Sequence, residues 1–331
     1  MGKKFLEVLA GTAMRGYWIR LFFLFCLLWA GSGCRVLRCI LGLPSKKKAP
    51  GKKAERAKEK ATLRSSSSLK RTKKGNTLLH LAVMRGDVER VREWIKAKKS
   101  VNCINYSGFT PLHFAAASGN VRILTLLLEA SADVNATENK ERTPLHFAVA
   151  KRKRRAVELL LRFRANPNAM DENRLTPLHL AVEGGDVEIA KLLLQKGADP
   201  NVIASDGFVC LHFAVKQGNL ALSRLLLEHK ADPNLKDFLR RTPLHIAAQS
   251  GDLVMVRLLV QFGANPNLVD KNRKTPLHLA VERGDYEMVK FLLERKSSLD
   301  IRDKFGLTPL LLAQKKNYKS IIKLLQGYSS K

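Results

Sequence analysis

The sequence predicts an all-α solenoid assembled from short helical repeats. A histidine recurs every 33 residues from His80 to His278, and each copy follows a leucine and lies two residues before an alanine. The same period relates Thr77 to Thr308 without an insertion or a deletion. A fixed period of this length indicates a repeat array, in which each unit buries its apolar face against its neighbours.

The first helix of each unit is marked by its starting residues. Thr-Pro pairs stand at residues 110–111, 143–144, 176–177, 242–243, 275–276 and 308–309. Threonine is a good N-cap, and proline suits the first helical position because its missing N–H is not needed there. Val209 and Cys210 replace the pair in the fifth unit, so this start loses its cap at a cost of about 1 kcal/mol. A thiol at such a place can have a lowered pKa, although a tolerated substitution is the simpler interpretation.

Three further columns define the rest of the unit. The alanine after each histidine lets two helices approach closely. Glycine at the end of this helix supplies a left-handed residue, and leucine-rich stretches such as 126–128 give a second helix an apolar stripe. Arg152 and Asn317 interrupt the glycine column. We therefore predict that Arg152 is left-handed, at a cost of about 1 kcal/mol, in a turn of five cations at 151–155 that binds an anionic group.

These columns resemble the ankyrin repeat, in about eight copies across residues 75–331. The resemblance implies stacked helix-turn-helix units with projecting β-turn fingers, a protein-binding role and a monomeric array. In this family the variable finger tips and the exposed end of the first helix line a concave contact surface. The matching positions are the candidate partner-binding residues Tyr106, Phe109, Arg142, Lys151, Arg152, Phe208, Phe238, Leu239, Arg241, Lys271, Lys274 and Phe305.

The residue types at these positions indicate the chemistry of a partner. Aromatic and arginine side chains are common anchors of protein interfaces. Phe238 and Leu239 stand together at one finger tip, near Arg241, Lys271 and Lys274. We expect a partner with an acidic or acidic-hydrophobic segment. Packing of the apolar tip against a neighbouring finger, and a solvated rim of cations, are the alternative interpretations.

An apolar segment lies within residues 1–45, which we interpret as a hydrophobic anchor or a signal-like segment. No charge falls between Arg20 and Arg35, and the run 21–30 is wholly apolar. Residues 17–42 fit a span with snorkelling ends, a membrane-lying segment, a cleaved signal peptide, or a helix that packs on the array. Acyl chains could attach at the cysteines Cys26, Cys34 and Cys39.

A basic linker follows at residues 46–74. The chain has a formal net charge of +30, and this segment carries thirteen Lys and Arg but only two Glu. It holds too little apolar surface to fold, so we predict a disordered linker. It fits an import signal, a patch for an anionic membrane surface, a nucleic-acid contact or a solvated spacer. The excess of cations after the apolar segment favours a cytosolic array by the positive-inside rule.

Catalytic motifs are absent from the sequence, and we expect neither an enzyme nor a cofactor. Neighbouring helices pack about 8–10 Å apart, whereas zinc needs ligands near 2 Å, so the histidine column cannot form one metal site. We expect these histidines to bond the backbone or the threonine at the helix start. The sequence favours a membrane-tethered scaffold with a cytosolic array. A soluble nuclear-cytoplasmic regulator and a nucleic-acid-binding protein are the alternatives, the latter disfavoured by acidic residues on the concave face.

Overall fold

The computed structural model describes residues 71–329. The predicted anchor at 1–45, its three cysteines and most of the predicted linker lie outside the described residues. Between 71 and 329 the chain forms sixteen α-helices, two per repeat, and no strand. In chain order they are α1 Leu78–Arg85, α2 Val88–Lys96, α3 Pro111–Ser118, α4 Val121–Glu129, α5 Pro144–Ala150, α6 Arg154–Arg162, α7 Pro177–Glu183, α8 Val187–Gln195, α9 Cys210–Lys216, α10 Leu220–Glu228, α11 Pro243–Ser250, α12 Leu253–Gln261, α13 Pro276–Arg283, α14 Tyr286–Glu294, α15 Pro309–Lys315 and α16 Lys319–Ser329.

The helices form two layers with a shared apolar core. Each odd-numbered helix packs against its own partner helix and against the odd-numbered helix of the next repeat. From α2 to α10, and between α14 and α16, the even-numbered helices pack along a second layer in the same way. The alanine column is buried from Ala82 to Ala313, which confirms that small side chains set the close approach of the first helices. The predicted all-α solenoid is therefore confirmed.

In most repeats, threonine and histidine cap the first helix and join it to the next repeat. In the third repeat, the Thr143 N–H donates to Nδ1 of His146 at 3.1 Å, and Thr143 Oγ1 lies 2.9 Å from the same nitrogen. His146 Nε2 lies 3.2 Å from the carbonyl oxygen of Leu175, in the following finger. Nδ1 is therefore an acceptor, and the proton sits on Nε2. This arrangement confirms the expected bonds to backbone and threonine.

A ladder of asparagines ties the repeats together on the side of the second helices. Asn168 Nδ2 donates to the Gly197 carbonyl at 2.9 Å, and its Oδ1 accepts the Asp199 N–H at 2.7 Å. The same pair of bonds recurs with each asparagine of the column, which comprises Asn102, Asn135, Asn168, Asn201, Asn234 and Asn267. Both ends of the amide are used, so neither aspartate nor serine can replace these residues without losing one bond.

The glycine column adopts the predicted conformation. The glycines that follow the first helices have φ values of 68° to 81°, and Arg152 takes the same place with φ 52°. Arg152 is therefore left-handed, as predicted. Its guanidinium Nη2 donates to the carbonyl of Gly184 in the next repeat. This bond offsets part of the strain, so we expect little gain in stability from Arg152→Gly.

The junction between the fourth and fifth repeats departs from the pattern in several ways. Val209 has no hydroxyl to reach His212, although its N–H still donates to His212 Nδ1 at 3.3 Å. His179 Nε2 is buried and lacks the carbonyl partner that its counterparts reach. Ala204 stands where the neighbouring fingers have a buried acidic side chain. This junction therefore holds fewer polar bonds than the others.

Candidate protein-binding surface

Every finger except the one at residues 203–208 is a tight turn closed by a buried polar side chain. In residues 236–241, Asp237 Oδ1 accepts the N–H groups of Leu239 and Arg241 at 2.9 and 2.7 Å. In the last finger, residues 302–307, Asp303 Oδ1 accepts the N–H groups of Phe305 and Leu307 in the same way. Because the carboxylate satisfies the turn from inside, the tip residues are left to face outward.

Backbone bonds connect the fingers in a row. The Lys271 N–H donates to the Leu239 carbonyl at 2.8 Å, and the Lys304 N–H donates to the Asn272 carbonyl at 2.9 Å. Similar bonds join the fingers from Lys74 to Ser205, but the described residues show none between Asp206 and Phe238. The row therefore presents its tip side chains at fixed intervals, and the connection between Asp206 and Phe238 lacks the backbone bond that the described residues show at the others.

The predicted apolar contact residues divide into exposed and buried sets. Phe305, Phe238, Tyr106 and Leu239 are 70%, 68%, 57% and 47% exposed. Phe238 and Tyr106 also lie against the glycines of the preceding fingers, so their rings rest on one side while the other faces solvent. Phe208 is buried and stacks on His212, with 5.2 Å between ring centroids. Phe208 is therefore part of the core and leaves the set of exposed contact residues.

Several of the predicted cations are held by carboxylates within the chain. Arg241 Nη2 lies 2.8 Å from Asp237 Oδ2, and Arg142 Nε lies 3.1 Å from Glu138 Oε1. Lys274 Nζ pairs with Glu282. These side chains stabilise the fingers and the inner helix, so they are less available to a partner than the sequence indicated. Lys271 is exposed at its tip.

Exposed charge is unevenly distributed along the finger row. In the last three fingers, residues 236–241, 269–274 and 302–307, the aspartates are buried and every exposed charged side chain is basic. These cations are Arg240, Lys271, Arg273, Arg302 and Lys304. Exposed Glu172 and Asp206 offset the charge of the middle fingers. The C-terminal fingers therefore form a basic surface around Phe238, Leu239 and Phe305, which we name the C-terminal finger surface.

Sequence reasoning missed a column of aromatic side chains on the inner helices, which are the odd-numbered first helices of the repeats. Phe109 contacts Phe114 and Phe147, each with 5.3 Å between ring centroids. The Arg142 guanidinium covers the Phe147 ring at 4.6 Å from the centroid. The 33-residue spacing of Phe114 and Phe147 was a readable signal, because both follow a column histidine. Half-buried rings beside a cation suit a contact surface.

The basic turn at 151–155 is exposed along its length. Arg154 forms ion pairs with Glu158 at 3.0 Å and Glu188 at 3.3 Å. Arg152 is bound to the Gly184 carbonyl, and the Lys153 side chain lies close to Gly119. Lys151 and Arg155 are the exposed cations of this turn that remain for an anionic group. The anion-binding role stays a prediction.

The cysteines and histidines of the array have the properties of core residues. Burial raises the pKa of the Cys210 thiol far above its ordinary value, which argues against a lowered pKa at this helix start and favours the simpler interpretation, a tolerated substitution. The thiol lies in the core, and desolvation of a thiolate outweighs the helix start. Burial also lowers the pKa of His80, His179 and His245 to about 4. Among residues 71–329, no group of three or more His, Cys, Asp or Glu is arranged to hold a metal ion.

Comparisons with known proteins agree with this architecture. A family model described as ankyrin repeats (3 copies) matches residues 60–138, 131–204 and 211–303, and one described as ankyrin repeats (many copies) matches 185–227 and 282–326. The crystal structure of the ankyrin repeat domain of Bcl-3, described as a unique member of the IkappaB protein family, is similar with a TM-score of 0.60 and 30% identity. The likeness covers 66% of this chain and 99% of that one. A search of curated proteins found no match.

Ankyrin repeats are modules of protein–protein interaction, and the exposed fingers and inner helices described above have the form of such a surface. Matched along most of its length and folded as stacked helix-turn-helix units, the chain belongs to the ankyrin repeat family.

Proposed function

We propose that this protein is a non-enzymatic scaffold that binds its partner on the C-terminal finger surface and is tethered to a membrane through residues 17–42. One observation carries the first part: the exposed charges of the last three fingers are all basic and surround exposed apolar tips. Apolar anchors ringed by cations complement a peptide with a hydrophobic residue beside acidic ones.

The finger geometry supports an extended partner. Backbone bonds hold the tips of Leu239, Lys271, Asn272 and Lys304 in a row, so a peptide that lies along the row meets alternating apolar and basic groups. The buried aspartates do not oppose an acidic peptide directly, because their oxygens already accept finger N–H groups. The partner is therefore expected to carry Asp or Glu on both sides of an aromatic or aliphatic residue.

Replacing the apolar tip tests this surface. Peptides selected from a random display library on the full array should be rich in acidic and apolar residues. Phe238→Ala with Leu239→Ala should weaken binding of a selected peptide by at least about 2 kcal/mol, the loss typical of hot-spot residues. Isothermal titration measures the affinity, and circular dichroism should show a nearly unchanged melting temperature because both side chains are largely exposed.

Two further variants separate contact from packing. Tyr106→Ala removes a similarly exposed ring from an uncharged finger and should leave peptide affinity unchanged. Lys271→Glu should slow association and reduce its dependence on salt; Arg241→Glu is unsuitable here because it sets two carboxylates side by side at Asp237. If the double alanine variant binds the peptide normally, the contact surface lies elsewhere on the array.

The tether is proposed from sequence, since residues 17–42 lie outside the described part of the chain. Between residues 71 and 329, no helix has the length and apolar character needed to cross a bilayer. The uncharged stretch between Arg20 and Arg35, followed by the basic segment 46–74, supports a membrane contact reinforced by anionic lipid.

Membrane extraction tests the tether. The full chain should stay in the membrane fraction after carbonate treatment, and a chain without residues 1–45 should be released, because only the former retains the apolar run. A matched control replaces Leu21, Phe23 and Leu27 with Asp and keeps the length. Release of the full chain by carbonate would contradict stable insertion.

The natural glycosylation sequons are poor reporters of topology. Asn105 is buried, its Nδ2 donates to Asn76 Oδ1 at 2.8 Å, and Asn135 belongs to the asparagine ladder. A better reporter is Lys319→Thr, which completes a sequon at the exposed Asn317. A cytosolic array should carry no glycan in this variant, whereas a shift on glycosidase treatment would indicate a lumenal array and favour the signal-peptide interpretation.

A soluble nuclear-cytoplasmic regulator is the second candidate. The similarity to the Bcl-3 domain, from a protein of the IkappaB family, lies in the array, and the basic segment 46–74 fits an import signal. Both candidates share the same finger surface, so they differ only in the use of residues 1–74. Nuclear accumulation of the full chain that is lost on replacing Lys46, Lys47 and Lys48 with Ala would favour this candidate.

A further inference from the structure

The turn that follows each second helix contains a column of short polar side chains. In five repeats the residue of this column is an aspartate or an asparagine, and its Oδ1 accepts the N–H of the ladder asparagine two residues later at 2.8 to 2.9 Å. These residues are Asp133, Asn166, Asp199, Asp232 and Asn265. Serine occupies this column in the first and seventh repeats, where the Asn102 N–H reaches Ser100 Oγ at 3.3 Å and the Asp300 N–H reaches Ser298 Oγ at 3.4 Å. Ser298 is half-buried, whereas Ser100 is exposed. The fold therefore accepts a negative group at this place in three repeats and has an exposed hydroxyl there in the first.

The surroundings of Ser100 are basic and open. Ser100 is exposed, and so are Lys96, Lys98 and Lys99 before it. The chain is non-helical from residue 97 to residue 110, so the serine lies in an exposed turn rather than inside a helix. Thr242, Thr275 and Ser297 also follow two cations, but all three are buried, and Thr72, which follows two cations as well, is half-buried. Ser100 is therefore the exposed hydroxyl of this group.

We infer that Ser100 is a phosphorylation site for a serine/threonine kinase that binds basic residues on the N-terminal side of its target. In the transfer, Ser100 Oγ attacks the γ-phosphorus of ATP. The Oγ–P bond forms as the bond from phosphorus to the β,γ-bridging oxygen breaks, ADP leaves, and the hydroxyl proton passes to the catalytic carboxylate of the kinase. Lysines before the serine complement an acidic substrate cleft, as charge patterns do in kinase recognition.

The modified residue has partners in the folded array. A phosphate on Oγ is expected to accept the Asn102 N–H as the aspartates of the column do, and the three exposed lysines that precede it supply positive charge for charge-assisted bonds. Lys99 now lies over the Trp94 ring, 4.9 Å from its centroid, and the Trp94 Nε1–H donates to the Ser100 carbonyl at 3.1 Å. Phosphorylation is therefore expected to draw Lys99 from the ring and to leave the fold intact.

Labelling of the full chain tests this inference. Folded protein is incubated with ATP and a kinase that prefers lysine or arginine before serine, and phosphopeptides are mapped by mass spectrometry. Phosphate should appear on Ser100, vanish in Ser100→Ala, and fall strongly in Lys98→Glu with Lys99→Glu, which keeps the serine. Ser107→Ala, at an exposed serine without preceding cations, should leave the label unchanged.

The fold supplies a second readout. Ser100→Asp should melt no lower than the wild type, because aspartate fills this column elsewhere, and the labelled protein should behave alike. Absence of label at Ser100 in the folded chain overturns the inference, whether or not a peptide spanning residues 92–108 is labelled. Label at Ser100 that persists in the Lys98→Glu, Lys99→Glu variant overturns the role assigned to the lysines.

Discussion

Acidification below about pH 6.5 should destabilise the array. Burial lowers the pKa of His80, His179 and His245 to about 4 and also lowers the pKa of His146, His212 and His278. In the unfolded chain these histidines take up protons near pH 6.5. The unfolded state thus binds more protons as pH falls through about 6.5, and stability declines until the folded pKa values near 4 are reached.

The expected loss is large because the histidines act together. For the three histidines whose pKa falls to about 4, linkage gives about 1 kcal/mol each at pH 5.5 and on the order of 3 kcal/mol each at pH 4, against a typical total of about 5–15 kcal/mol. Urea unfolding at pH 7.5 and 5.5, followed by circular dichroism, measures the difference. The window above pH 5.5 lies above the ordinary carboxylate pKa of about 4.

A non-titrating side chain provides the control. His245→Gln should be less stable than the wild type at pH 7.5, because the ring bonds to Thr242 and to the Lys274 carbonyl are changed. Its stability should fall less steeply with pH, since one histidine no longer titrates. Equal unfolding free energies of the wild type at pH 7.5 and 5.5 would contradict the assignment of buried neutral histidines.

Restoring the missing helix start in the fifth repeat should stabilise the array. Val209→Thr with Cys210→Pro introduces the pair that begins the other first helices, and we expect a gain of about 1–2 kcal/mol. The new hydroxyl would lie near His212 Nδ1. The equivalent pair in the fourth repeat shows the expected contact, because Thr176 Oγ1 lies 2.9 Å from His179 Nδ1. Urea denaturation at neutral pH measures the change.

A reciprocal substitution tests the same cause in a regular repeat. Thr242→Val removes the hydroxyl that lies 2.8 Å from His245 Nδ1 and should cost about 1 kcal/mol. The two variants should change the free energy of unfolding in opposite directions, by a similar amount for each hydroxyl gained or lost. If the Thr-Pro replacement at 209 and 210 leaves stability unchanged, the weakness of this junction lies in its finger, at Ala204, rather than in its helix start.

The repeated fold was predictable because its columns depend on local chemistry. Thr-Pro starts, left-handed glycines and buried alanines each follow from one residue and its neighbours, and even the left-handed Arg152 was read from the glycine column. The asparagine ladder was missed as a ladder, although its 33-residue spacing was visible. Its bonds join residues 29 and 31 positions apart, so spacing alone did not reveal which atoms meet.

The binding surface was less predictable, since exposure and pairing are tertiary properties. Phe208 and Phe238 stand in different columns of the finger, and one is in the core while the other is 68% exposed. Arg241, in the column of Phe208, is bound to Asp237, whereas Lys271, in the column of Phe238, is exposed. Which column faces solvent is set by the fold of the finger, so residue type alone did not separate the tip residues from those behind them.

The asparagine ladder has a consequence for how such a gene changes length. Six of the seven joints use the same atoms at the same offsets of 29 and 31 residues. Unequal crossing-over that removes or duplicates 33 codons inside this part of the array rejoins equivalent partners. A change of any other length alters the spacing within the joint that contains it and moves that amide away from its carbonyl. The array therefore evolves in whole steps, and its reach can vary while the architecture of each joint stays constant.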